Sequence, residues 1–211
     1  MRSNDLGGNP FNLRDYQKEA IDMLESRGYI AEALCIDYRV PLSSEEELKY
    51  AHADKRAKFR IAAENQRKKE LVCKLLDNHG GENILVIGQF ISQVEKLARE
   101  LELPIITGKT KDDEREKLYE EFRQERIKIL VVSKVANFAV DLPDASVMIQ
   151  VSGTFGSRQE EAQRLGRILR PKERTSHFYT LVSKGTIEQT FSTNRQLFLV
   201  EQGYRYHIRY F

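Results

Sequence analysis

Between Asn83 and Val182 short apolar runs alternate with stretches of helical periodicity, and few folds accept that order. NILVIGQF, Pro104–Thr107, Ile127–Ser133, Val147–Val151 and Phe178–Val182 are too short for buried helices, and the longer ones too continuous for strands with one wet face. Runs of that kind read as strands covered on both sides. Between them, Ser92–Glu102 sets Val94, Leu97, Ala98 and Leu101 on one helical face. Asp112–Arg126 does the same with Leu118, Tyr119 and Phe122, and further helices are expected at about Gln159–Leu169 and Thr186–Gln202. Strands joined by helices predict an α/β fold, a parallel sheet of five to six strands with helices on both faces.

The part before residue 80 reads differently. Leu13, Tyr16, Ala20, Ile21 and Leu24 share one face of a short helix, and ALCIDYRV (Ala33–Val40) alternates like a strand that Pro41 ends. Ser43 or Ser44, with Glu46 and Glu47 following, opens a long charged helical stretch to about Asn78, read here as a solvated amphipathic arm preceding the sheet. The expected division is a short segment at 1–27, a connector strand and helical arm at 28–79, the α/β lobe at 80–203 and a tail at 204–211. The tail interleaves aromatics with bases, which suits either stacking on single-stranded bases or, as the plainer reading, a frayed last strand.

Composition narrows the function. With 211 residues the chain can bury one good core. Its 34 Lys+Arg against 32 Asp+Glu leave a net charge of +2, so bulk charge does not mark a polyanion binder and any basic surface is local. No apolar run is long enough for a membrane span, and MRSNDLGGNPFN has no signal-peptide character. Two cysteines, Cys35 and Cys73, without metal-ligand spacing speak against a disulfide framework or structural zinc and for a reducing cytoplasm. His52, His79, His177 and His207 are scattered, and no chemistry is assigned to them.

Three motifs bear on chemistry. Thr107-Gly108-Lys109-Thr110 ends like a phosphate-binding loop, but the position that needs the first glycine is Leu103, so a ring of amides cannot form. What survives is a strand end offering hydroxyl and N–H donors to one backbone phosphate, or a plain turn with a helix cap. Asp112-Asp113-Glu114 is a carboxylate cluster, read as acids opposing the positive end of a helix dipole rather than as a magnesium site. Gln163-Arg164-Leu165-Gly166-Arg167-Ile168-Leu169-Arg170 sets Arg167 and Arg170 on one side of a helix. Two guanidinium groups so placed can grip a polyphosphate, or they can be solvated partners of Glu160 and Glu161.

The order of motifs decides between these readings. Val131–Val135, the turn Ala139-Val140-Asp141-Leu142-Pro143, the strand VMIQVSG, the loop Thr154–Ser157 and the arginine helix follow one another as in the second motor lobe of superfamily-two helicases. SKVANFAVDLP, QVSGTFGSRQEEAQRLGRILRPK and FLVEQGY narrow this, and the chain resembles the bacterial form of the XPB family of DNA repair helicases. Many superfamily-two relatives carry Gly where this chain has Ala139; the XPB branch does not.

The resemblance implies a RecA-like lobe of an ATP-dependent 3′–5′ DNA helicase or translocase. It makes Arg167 and Arg170 arginine fingers, places Gln163 near the γ-phosphate and its water, and sets Asp141 at the ribose or the arginine helix. Gln89, Thr107, Gly108, Ser133 and Lys134, at carboxyl ends of expected strands, become the contacts to DNA backbone. NLRDYQKEA resembles the opening of the family's first lobe and RGYIAEALCIDYRVPL the connector after it, so most of a first lobe is expected to be missing between them. No complete Walker signature is present. ATP with Mg is therefore expected to act only with a first lobe supplied in cis or in trans, and the chain alone is expected to be inactive. The alternative is a non-catalytic nucleic-acid- or partner-binding module derived from such a helicase.

Overall fold

The computed structural model describes residues 33–133, 145–153, 175–201 and 204–211. The expected helices at 12–24 and 159–169 lie outside them. The strands are β1 (Ala33–Val40), β2 (Ile84–Gly88), β3 (Ile105–Ile106), β4 (Ile129–Ser133), β5 (Val147–Gln150), β6 (Ser176–Ser183) and β7 (Arg205–Tyr210). The helices are α1 (Ser44–His52), α2 (Lys55–Ala63), α3 (Arg67–Asn78), α4 (Ile91–Glu100), α5 (Asp112–Arg123) and α6 (Ile187–Glu201).

All seven strands form one sheet in the order β3-β4-β2-β5-β6-β1-β7, and every pairing is parallel. Parallel pairing requires a crossover for each connection, and the right-handed rule then fixes which face each helix covers. The crossovers β1→β2 and β2→β3 run towards the β3 end, and their helices α3 and α4 bury Leu71, Val72, Leu75, Val94 and Leu97 on one face. The crossovers β3→β4 and β6→β7 run the opposite way. Their helices α5 and α6 bury Tyr119, Phe122 and Leu199 on the other.

Strand alternation distributes the apolar runs accordingly. Ile84 and Val86 serve the first face, Leu85 and Ile87 the second. At the end of β2, Gly88 allows close packing. A Cβ there would lie 2.4 Å from Val94 Cγ1 and 3.1 Å from Val151 Cγ2.

Two expectations are corrected. The sheet has seven strands rather than five or six, because the connector strand and the tail both join it: β1 lies between β6 and β7. The stretch from 43 to 78 is not one solvated arm but three helices. Ser43 and Glu46 close a capping box at α1, which has no buried residue. The Asp54 side chain accepts from Ala57 N–H and starts α2, and α3 is packed on the sheet. Phe59 of α2 sits between Phe90 and Phe191, with ring centroids 5.6 and 5.7 Å away. No helix among the described residues is long and apolar enough to cross a membrane.

Candidate functional site

In open parallel sheets ligands gather outside the carboxyl ends of the strands, where successive crossovers diverge. Here that point is the boundary of β2 and β5, because the chain leaves β2 towards one end of the sheet and leaves β5 towards the other. Across it, Gln89 N–H donates to Ser152 Oγ (2.8 Å), and Ser152 Oγ–H donates to Gln93 Oε1 (2.6 Å). Gln93 Nε2 in turn donates to Ala63 O (2.6 Å). The carboxyl ends of β2 and β5 are thereby tied to each other and to α2.

The β3–β4–β2 half of this edge is open at the Thr-Gly-Lys-Thr turn, where Gly108 and Lys109 are exposed, while Thr107 and Ser133 beside it are buried. Register sets Gly88 beside Ser133 and Ile106 beside Val132, so Gln89, Ser133 and Thr107 follow one another along the edge. Four of the expected nucleic-acid contacts are thus brought together, with Gly108 next to Thr107 and exposed. The Ser133 hydroxyl is fully buried and has no partner among the described residues, and neither has Gln89 Oε1. Lys134, Asp141, Gln163, Arg167 and Arg170 lie outside the described residues, which leave the sheet at Gly153 on this edge and resume at Thr175.

The Thr-Gly-Lys-Thr turn holds itself. Thr107 N–H donates to Thr110 Oγ1 (2.9 Å), Lys109 N–H to Thr107 Oγ1 (3.2 Å) and Thr110 N–H to Thr107 O (3.2 Å). With those amides committed, the turn does not fit a triphosphate. Lys111 occupies the cap position of α5 without a side-chain cap bond. Asp112, Asp113 and Glu114 form the first turn of α5, where Asp112 accepts from Arg115 NH1 (2.9 Å). Among the described residues no group of three His, Cys, Asp or Glu side chains is placed to hold a metal ion.

The β5–β6–β1 half is sealed by buried polar groups that sequence reasoning did not single out. Asn65 Nδ2 donates to Pro41 O (3.2 Å) and Ser183 Oγ (3.1 Å), joining the ends of β1 and β6. Lys68 is 2% exposed, and its ammonium donates to Val151 O (3.0 Å) and Glu188 Oε2 (2.8 Å). The same Glu188 oxygen accepts from Ser183 N–H (2.9 Å). Burial pulls the Lys68 ammonium below its ordinary pKa, against the opposing charge of Glu188. The Arg195 guanidinium lies against Gly153, where a Cβ would come within 2.8 Å of it. One strand deeper, Asp37 accepts from Ser192 Oγ and from Tyr206 OH (2.8 Å) and forms an ion pair with Arg39 (3.3 Å). Burial, with the Asp37 charge second, raises the Tyr206 phenol far above its ordinary value.

The amino edge corrects the expectation that the histidines are merely scattered. His79 Nδ1 donates to Glu82 Oε1 (2.9 Å) while its Nε2 is 2.7 Å from Tyr179 OH, and its ring lies 4.8 Å from that of His177. Burial, with the neighbouring His79 charge, lowers the His177 pKa. Burial raises that of Tyr179 to about 12. This cluster lies at the end of the sheet remote from the candidate site.

A seven-stranded parallel sheet with helices on both faces is a RecA-like fold. The fold is similar to that of the C-terminal domain of the DEAD-box protein Dbp5, with TM-score 0.60 and 14% identity over 85% of this chain and 90% of that one. The model of the ERCC3/RAD25/XPB C-terminal helicase family matches residues 24–209, and the chain belongs to that family. It is 52% identical over 187 residues to the DNA 3'-5' helicase XPB of Kineococcus radiotolerans. It is 47% identical over 188 residues to the DNA 3'-5' helicase XPB of Mycobacterium tuberculosis. Each match covers 88% of this chain and 34% of the relative, so the chain spans about a third of the length of the curated relatives it matches.

Proposed function

We propose that this chain is the second motor lobe of an ATP-driven, 3′–5′ DNA helicase or duplex translocase, acting in the cytoplasm with a first lobe supplied in cis or in trans. The observation that carries the reading is the row formed by Gln89, Ser133, Thr107 and Gly108 along the open half of the carboxyl edge, in a chain of this family. The Gln89 side chain, the Ser133 hydroxyl and the exposed Gly108 offer polar groups suited to backbone phosphates, which such contacts hold in position without reading bases. Lys134 would extend that row by one cation. Arg167 and Arg170, with Gln163 and Asp141, would face a nucleotide cradled by the first lobe. ATP with Mg enters only with that lobe, because the Thr107, Lys109 and Thr110 amides are committed to the turn and Leu103 stands where a phosphate loop needs its first glycine.

That commitment also favours a second reading, in which the chain by itself is a non-catalytic module that binds nucleic acid or a repair partner. Turnover of ATP by the purified chain, with and without single-stranded DNA and with an added first lobe, separates the two. The motor reading expects no turnover by the chain alone and DNA-stimulated turnover once the first lobe is present. Arg170→Ala would then cut that turnover by about 10³–10⁵-fold, as for other arginine fingers. Salt-sensitive DNA binding without turnover in any combination supports the module. Turnover by the isolated chain that Arg167→Ala abolishes would overturn both.

A further inference from the structure

The two outer strands of the sheet are unlike each other. β3 has two residues and offers little edge, whereas β7 has six, five of them exposed, with Ile208 at 42% and Tyr210 at 73%. β7 pairs with β1 on one side and, among the described residues, ends the strand order on the other. Phe211 N–H donates to Arg39 O (3.1 Å), so by strand alternation the peptide groups of Arg205, His207 and Arg209 point towards β1. Those of Tyr206, Ile208 and Tyr210 then point away from the sheet. A row of outward N–H and C=O groups is a template for one more strand.

The side chains say what that strand must carry. Register sets Arg205, His207 and Arg209 on one face, beside Leu34, Ile36 and Tyr38, and Tyr206, Ile208 and Tyr210 on the other. Residues 204–211 contain no Asp or Glu. Lys74 and Lys184 add cations at the strand's end, 4.5 Å from the Phe211 ring centre and 5.7 Å from that of Tyr210. A second copy of the chain is the wrong occupant. Antiparallel pairing of β7 with itself about a two-fold axis keeps each face on its own side. Arg205, His207 and Arg209 would then oppose their own counterparts, and like charges directly opposite are destabilising.

We propose that β7 is a docking edge for an extended polypeptide segment that carries acidic residues at alternate positions. Its backbone pairs with Tyr206, Ile208 and Tyr210, its carboxylates face Arg205, His207 and Arg209, and its apolar residues cover Ile208 and Tyr210. The probe is a fluorescein-labelled peptide alternating Glu and Val, titrated against the full chain by anisotropy, beside a Lys–Val peptide and oligo-dT. The Glu–Val peptide should bind in a salt-sensitive manner and slow hydrogen exchange at the amides of Tyr206, Ile208 and Tyr210. Ile208→Pro removes an outward N–H while leaving the ladder to β1, and should weaken binding at least about tenfold. Arg205→Glu with Arg209→Glu tests the charge without a proline and should transfer the preference to the Lys–Val peptide. Glu–Val binding untouched by both changes, no binding at all, or oligo-dT occupying the same residues more tightly would overturn the proposal.

Discussion

The two halves of the carboxyl edge solve opposite problems. In the β5–β6–β1 half, Asn65, Lys68 and Glu188 Oε2 tie the ends of three strands together inside the molecule, while Glu188 Oε1 has no partner among the described residues. In the β3–β4–β2 half, Ser133 Oγ and Gln89 Oε1 lack partners among the described residues, and Gly108 and Lys109 are exposed. Buried polar groups bonded to strand ends hold structure, while an exposed turn beside strand ends leaves groups within reach of a ligand. The sealed half therefore serves as the frame against which the open half is presented.

Substitutions should separate the two roles. Lys68→Ala leaves the Glu188 carboxylate buried without its cation and should cost about 3–5 kcal/mol in denaturant unfolding. Lys68→Met with Glu188→Leu removes both charges and should restore most of that loss. A double variant no better than the single one would mean that the bonds to Val151 and Ser183, rather than the charges, dominate. Gly88→Ala tests the boundary between the halves. The new methyl meets the stiff side chains of Val94 and Val151, and a loss of about 1–3 kcal/mol is expected. A change within error would show that α4 can move away from β2. Ser133→Ala should change stability least, by under about 0.5 kcal/mol, because the hydroxyl it deletes has no bond to lose among the described residues. It should still weaken binding of single-stranded DNA. A stable variant with unaltered DNA affinity would remove Ser133 from the proposed row.

How much of this was legible in the sequence follows from what each residue's neighbours are. β2, β4 and β5 were readable because strands covered on both faces carry apolar residues at nearly every position. β1 was readable as a strand but not as an interior one. Asp37 and Arg39 make it alternate like a half-wet strand, although they are 0% and 5% exposed, paired with each other, and Asp37 is bonded to Ser192 and Tyr206 far along the chain. β7 was readable only as a frayed end, since RYHIRY is an edge strand whose polar face needs no cover. Lys68 could not be found at all, because its neighbours Arg67 and Lys69 are exposed cations of the same type and only packing distinguishes them. At the open half Gln89, Thr107, Gly108 and Ser133 were legible as strand-end residues, because strand ends inherit their order from the strands.

The position of β1 has a consequence for how the chain acquires its fold. Ala33 pairs with Ser176, so the first described strand waits for a partner about 140 residues further along, and β7 then docks on it later still. During synthesis β2, β3 and β4 can assemble from neighbouring sequence, while β1, with its Asp37 and Arg39, stays without a sheet until β6 has been made. Contacts of such long range are slow to form, so the β6–β1–β7 side of the sheet should be the last part of the molecule to gain protection during refolding and the first to misassemble.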